Sequence, residues 1–190
     1  KFSEKETRIL KLLAEDKTTE EISKEVSLKK DFALGLHIPR IYDKVLDIDE
    51  CFLQSETSNK ILNLTRSFFK KQNTPVYSTK THIGFLRNLV IRQSFYTNDL
   101  MINLVTSEEN DKLLNEYSDK IRKEIPEITT VINNVNKKLA AVAIGDYEKV
   151  IYGSGFIYDA IGKFKFRISA NSFFQTNTLQ AEKLYQTALD

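Results

Sequence analysis

From Val76 to Ile168 the chain is a succession of short strand-type runs broken by one long helical window, and a fold without a sheet cannot satisfy that pattern. The runs are Val76 to Thr81, Phe85 to Gln93, Leu100 to Val105 and Thr129 to Asn134, followed by Lys149 to Tyr152, Gly155 to Tyr158 and Phe164 to Ile168. Thr97-Asn98-Asp99 supplies turn chemistry between the second and third, so the first three runs are expected to form a meander. The window from Glu108 to Glu124 stops before Pro126 and predicts a helix over one face of the sheet. Glycines at 153, 155 and 162 separate the last three runs, and Gly153-Ser154-Gly155 predicts a hairpin turn rather than a cofactor loop.

Upstream, Leu53 to Lys71 carries Ile61, Leu62, Leu64, Phe68 and Phe69 near helical period, and Asn73-Thr74-Pro75 ends it. Phe32 to His37 and Tyr42 to Ile48 alternate as strands do and are expected to pair as a hairpin, with Pro39 in the connection. A last helix begins near Thr178 and reaches Asp190 without a Gly or Pro stop signal, the pattern expected of a truncated chain. The class is therefore α+β: an antiparallel sheet with covering helices, preceded by a short helical hairpin.

A length of 190 residues holds one sizeable domain, or a small one beside a larger one. Hydrophobic content of 41%, with 12 Phe and 8 Tyr, places the chain among globular proteins rather than disordered ones. No apolar run is long enough to predict a membrane span, and Lys1-Phe2-Ser3-Glu4 lacks a signal core, so a cytoplasmic location is expected. The single Cys51 excludes an intrachain disulfide, and His37 and His82 form no cluster at metal-ligand spacing. A formal charge of +2 does not by itself demand a nucleic-acid partner. Local clustering is what phosphates require, and Arg87 and Arg92, with Lys70, Lys71 and Lys80 nearby in sequence, could present it beside Tyr77, Phe85 and Phe95 as stacking rings. Solvated lysines beside core aromatics explain the same letters.

Residues 4 to 14 place Ile9, Leu10, Leu12 and Leu13 at helical spacing, and Thr18 with Glu21 forms a capping-box pattern before a second helix. Residues 1–28 resemble the first half of a LuxR-type helix-turn-helix. Beyond Leu28 the sequence Lys29-Lys30-Asp31-Phe32 departs from that family, so the helix that would enter the major groove is missing. A charged helical hairpin is the favoured reading of this segment, and DNA binding the minority one.

Ser169-Ala170-Asn171-Ser172-Phe173-Phe174-Gln175-Thr176-Asn177-Thr178 resembles the Phe-x-Gln-x-Asn segment of RNA uracil-5-methyltransferases of the RlmD/TrmA type. Gly35-Leu36-His37-Ile38-Pro39, Tyr42-Asp43-Lys44-Val45, Cys51-Phe52-Leu53-Gln54 and Leu86-Arg87-Asn88-Leu89-Val90-Ile91-Arg92 occur in the same family's order, so the resemblance covers about residues 31 to 190. Beside the helical hairpin read over 1–30, it implies a central RNA-binding α+β domain over 31–145, and strands and a helix over 146–190 that lead into a cofactor-binding methyltransferase domain absent from the sequence.

The implied function is that of a fragment of an S-adenosylmethionine-dependent rRNA or tRNA uracil-5-methyltransferase, inactive as an isolated chain. The alternative is a noncatalytic nucleic-acid-binding or transcription-factor-like module from a fusion or remnant, since the pattern changes abruptly near residue 30. The resemblance gives Gln175 a contact with S-adenosylmethionine and sets Phe173 near a flipped uridine. Arg87 and Arg92 stand as candidate RNA contacts on the residue reading given above. For Phe174, ordinary core packing is as good a reading as a site role.

Cys51 reads from its residue type as a buried small hydrophobe. The resemblance places it instead at the last of four iron-sulfur ligand positions. One thiolate cannot hold a [4Fe-4S] cluster, so no cluster is expected here. The family's nucleophilic Cys lies after the cofactor fold, which excludes Cys51 from that role and leaves no catalytic residue in the chain. The glycine-rich cofactor loop is likewise missing.

Overall fold

The computed structural model describes residues 32–38, 41–140 and 142–189, with isolated positions before them and with side chains from residue 45 onward in the second strand. The helical pair expected before residue 30, and the half helix-turn-helix read into it, lies outside the described residues except for helical positions at Thr7, Arg8, Lys11 and Ala14. Two compact units divide between Thr81 and His82. No helix among the described residues is long and apolar enough to cross a membrane.

The first unit contains an antiparallel hairpin, β1 (Gly35–Ile38) and β2 (Ile41–Asp47), and helix α1 (Glu56–Lys71). Ser55 caps α1 by accepting the Ser58 N–H at 3.1 Å, and Glu56 in the first turn with Lys70 and Lys71 in the last complements the helix dipole. Ser58, Ile61, Leu62, Thr65, Arg66 and Phe69 form its buried stripe at i, i+3, i+4 spacing. Arg66 is the charged member of that stripe. Its Nε donates to Asp47 Oδ1 at 2.9 Å and its Nη2 donates to Leu34 O at 3.0 Å and to Ile48 O, tying the helix to the hairpin.

Expected strand Val76 to Thr81 is not a strand: Val76 makes an isolated bridge and residues 79–81 turn. Ser78 Oγ accepts the N–H groups of Lys80 and Thr81, both at 3.3 Å, and this local pairing competes with a ladder. The expected meander is therefore reduced to one hairpin, β3 (Leu86–Gln93) with β4 (Leu100–Thr106).

In the second unit, β3, β4, β5 (Thr130–Val135) and β6 (Tyr147–Tyr152) form one sheet in that order. An all-antiparallel sheet was expected, but β4 and β5 run parallel, because helix α2 (Asp111–Glu124) carries the chain back across the sheet between them. Every residue of β4 and β5 is buried, as strands covered on both faces are. On one face lies α2, burying Leu114, Tyr117 and Ile121 and stacking Arg122 3.8 Å over Tyr152.

On the other face a second hairpin, β7 (Phe156–Ile161) with β8 (Phe164–Ser169), buries Ile157 and Ile168 against Met101 and Ile132. Gly153-Ser154-Gly155 is a turn, but it passes the chain from one sheet to the next rather than joining paired strands, a correction to the hairpin expected there. Gly153 has φ +78°, and a Cβ on it would stand 2.2 Å from Thr129 O. The Thr130 hydroxyl fastens the turn by donating to Tyr152 O at 2.7 Å and accepting the Gly155 N–H at 3.0 Å. Helix α3 (Thr178–Leu189) closes the unit.

Candidate functional site

After β8 the chain makes a tight turn in which Ser172 Oγ accepts the Ser169 N–H at 3.2 Å, then runs without regular structure to the cap of α3, where Asn177 Oδ1 accepts the Gln180 N–H at 3.0 Å. The two adjacent rings of this segment part company. Phe174 packs on the cluster of Met101, Ile132, Ile157, Ile168 and Ala170, with its ring 5.7 Å from that of Phe166. Phe173 is 85% exposed. Gln175 is half-buried, and its amide makes no hydrogen bond with any described residue.

A polar floor lies beneath the segment. Along one row of the sheet Asn134 pairs with Glu148, and both reach upward: Asn134 Nδ2 donates to Asn171 Oδ1 at 2.6 Å, while Glu148 Oε1 accepts the Asn171 N–H at 3.1 Å. Arg92, from β3, donates through Nη2 to Ala170 O at 3.1 Å. Burial pulls its guanidinium below the usual range, with Glu148 acting in the opposite direction. Its Nε and the Asn134 Oδ1 are buried without a hydrogen-bond partner. Arg87 sits elsewhere on β3, and its guanidinium donates to Asn136 O at 2.9 Å, Lys138 O at 2.6 Å and Ala140 O at 2.6 Å, gripping the β5–β6 connection. Arg92 and the Phe-x-Gln segment are thus brought together, and Arg87 stands apart from them.

Asp159 was not singled out by sequence reasoning, yet it organises the surroundings. Only 2% exposed on β7, its carboxylate accepts the N–H groups of Phe95 (3.0 Å), Tyr96 (3.0 Å) and Ala160 (2.9 Å) and the Thr178 hydroxyl (3.0 Å). Burial is the largest single influence and pushes its pKa up, but the backbone and hydroxyl donors together outweigh it and hold the carboxyl below its ordinary range. The available signal was its phase: Asp159 alternates with Ile157 and Ile161 on the inward side of the strand.

No family model matches the sequence. An uncharacterized RNA methyltransferase of Chlorobaculum tepidum is 43% identical over 164 residues, 86% of this chain and 34% of that protein. Another, from Clostridium acetobutylicum, is 38% identical over 156 residues, 82% of this chain and 34% of that protein. Among solved structures, the tRNA (uracil-54, C5)-methyltransferase of Pyrococcus abyssi in complex with S-adenosyl-L-homocysteine matches with a TM-score of 0.69 and 30% identity, over 82% of this chain and 37% of that one. The chain belongs to the RlmD/TrmA-type family of RNA methyltransferases. This RlmD/TrmA-type chain spans about a third of the length of the curated relatives it matches.

Cys51, to which the RlmD/TrmA resemblance gives an iron-sulfur ligand position, is half-buried in the turn before α1. Asn59 holds that turn, its Oδ1 accepting the Cys51 N–H at 2.9 Å and its Nδ2 donating to Cys51 O at 3.2 Å. Among the described residues no group of three or more His, Cys, Asp or Glu side chains is placed to hold a metal ion.

Proposed function

We propose that this chain supplies the sheet domain and the Phe-x-Gln segment of an S-adenosylmethionine-dependent RNA uracil-5-methyltransferase of the cytoplasm, and that the 190 residues alone transfer no methyl group. The observation that carries this reading is the 30% identity, at a TM-score of 0.69, with a solved tRNA methyltransferase that holds S-adenosyl-L-homocysteine. The Gln175 amide fits such a group, since it can donate and accept and is engaged by no described residue. When bound, S-adenosylmethionine supplies an electrophilic methyl group. In this reading Gln175 holds an end of its amino-acid portion, and Phe173, open to solvent, packs beside a uridine drawn out of its stack.

Arg87 and Arg92 add positive charge toward RNA phosphates while holding the loop and the segment floor. Thiolate addition to C6 of uracil and removal of the C5 proton fall to side chains outside this sequence, and Cys51 takes neither role. Nor does the chain fit an iron-sulfur cluster, because one cysteine offers one thiolate.

Incubating the 190-residue chain with labelled S-adenosylmethionine and uridine-containing RNA is expected to leave the RNA unlabelled. Label above a no-protein control would overturn the isolated-chain claim. In a protein completed through the cofactor domain, Gln175→Ala is expected to weaken S-adenosylmethionine by roughly two-fold to a hundred-fold, the range of one hydrogen bond worth about 0.5–3 kcal/mol. Calorimetric titration reads this directly, and an unchanged affinity would return Gln175 to simple packing.

A further inference from the structure

The hairpin that carries the Phe-x-Gln segment has a second, outward face, and its composition differs from the inward one. The register pairs Tyr158 with Arg167, Ala160 with Lys165 and Phe156 with Ser169, so Phe156, Tyr158, Lys165 and Arg167 share this face while Ile157, Asp159 and Ile168 are turned inward. The four side chains interlock. Lys165 Nζ lies 4.2 Å from the centre of the Tyr158 ring, the Arg167 guanidinium 5.3 Å from that of Phe156, and the two rings meet edge to face at 5.4 Å. At the hairpin tip Lys163 lies 5.5 Å over Phe164.

None of the three cations forms an ion pair with a described residue. The nearby carboxylates are committed elsewhere: Asp99 Oδ2 accepts the Tyr158 N–H at 2.8 Å, Glu182 accepts the Gly162 N–H and the Tyr96 hydroxyl, each at 2.8 Å, and Asp159 is buried on the opposite side. A surface of uncompensated cations resting on rings fits a flexible polyanion with flat, stackable groups. We propose that the outward face of the β7–β8 hairpin binds single-stranded RNA, with phosphates at Lys163, Lys165 and Arg167 and bases stacking on the Arg167 plane and the Phe156 and Tyr158 rings. The identity of the polymer rests on the RNA methyltransferase reading above. A duplex is a poor fit, because its bases are stacked on one another and closed to side-chain rings.

The test is fluorescence anisotropy of a labelled twelve-nucleotide oligouridylate, and of an RNA duplex of the same length, titrated with the 190-residue chain. Binding to the single strand is expected to exceed binding to the duplex and to weaken with salt. The double variant Lys165→Gln/Arg167→Gln should lose about ten-fold in affinity at 0.1 M salt and flatten the dependence on salt by about 1.4 in logarithmic slope, near 0.7 for each phosphate no longer neutralised. Removing the same charge from α2, in Lys112→Gln/Lys123→Gln, should change affinity by less than about two-fold, since those exposed lysines lie on the helix that covers the opposite face of the sheet.

Phe156→Leu/Tyr158→Leu should weaken binding while leaving the salt slope in place, and thermal melts confirm that each variant is folded. No binding by the unmodified chain, tighter binding to the duplex, or equal losses in both charge variants would overturn the proposal. Cofactor affinity of the completed protein is a separate readout: its persistence when RNA binding fails sinks only this inference, whereas its absence when RNA binding holds sinks the methyltransferase reading and spares this one.

Discussion

Replacing Arg66 by alanine should destabilise the first unit by about 3 kcal/mol, the lower end of the range for breaking a buried ion pair. Its side chain is 9% exposed, so truncation strands Leu34 O, Ile48 O and Asp47 together. Two facts keep the figure at that end. Asp47, 31% exposed, can regain water and retains Lys70 at 3.7 Å, and Asp49, 94% exposed, contributes almost nothing. Arg66→Lys keeps the charge but not the planar fork, and should recover less than half of the loss. Chemical denaturation followed by circular dichroism gives the magnitude. Hydrogen exchange gives the place: the Ile48 amide, which donates to Leu34 O at 3.3 Å, should lose protection while amides of β4 and β5 keep theirs. Equal loss in both units would contradict the local role.

Asp159→Ala should have the larger effect, about 4 kcal/mol. It leaves three backbone N–H groups and a hydroxyl without their acceptor in a site that is 2% exposed, and each stranded buried donor costs about 1–3 kcal/mol before water enters. Asp159→Asn retains one acceptor oxygen but turns an amide N–H₂ toward donors, and should cost about half as much. The pH dependence has a fixed sign. The folded carboxyl titrates below its ordinary value, so its contribution is fully present above about pH 3.9, the unfolded value, and is lost as pH falls through the folded one. Acid titration of stability should therefore be shallower below about pH 4 in Asp159→Ala than in the parent chain. Superimposable acid limbs would rule the carboxylate out as the source.

The helices were legible because their signals are local. Ser55 before the apolar stripe of α1, Asn110 before α2 and Asn177 before α3 each accept an N–H from the first turn, and the stripes themselves follow the 3.6-residue period. Hairpin β1–β2 was legible for the same reason, as were the runs that form β7 and β8, though the hairpin turn was expected one connection too early, at Gly153-Ser154-Gly155. The parallel pairing of β4 with β5 was not, since it depends on where α2 returns the chain. A trace of it stands in the run Leu100 to Val105, apolar at every position but Asn103, which suits a strand covered on both faces better than one with a wet side.

Arg66 and Asp159 were passed over because charged letters read as surface. Both lie in phase with apolar neighbours, Arg66 with Ile61, Leu62 and Phe69, and Asp159 with Ile157. Of the site residues, exposure separated what letters could not: Phe173 and Phe174 are identical in sequence terms and opposite in the structure.

The commitments of Asp159 and Glu182 also bear on motion. Asp159 holds the Phe95–Tyr96 backbone and the first residue of α3, while Glu182, one turn along α3, accepts the Tyr96 hydroxyl at 2.8 Å and the Gly162 N–H at 2.8 Å. The β3–β4 loop, the β7–β8 tip and α3 are thereby coupled at both ends of a single lever, and none can tilt alone without breaking a charge-assisted hydrogen bond. A push on α3 would be felt at Phe95 as displacement rather than as slack.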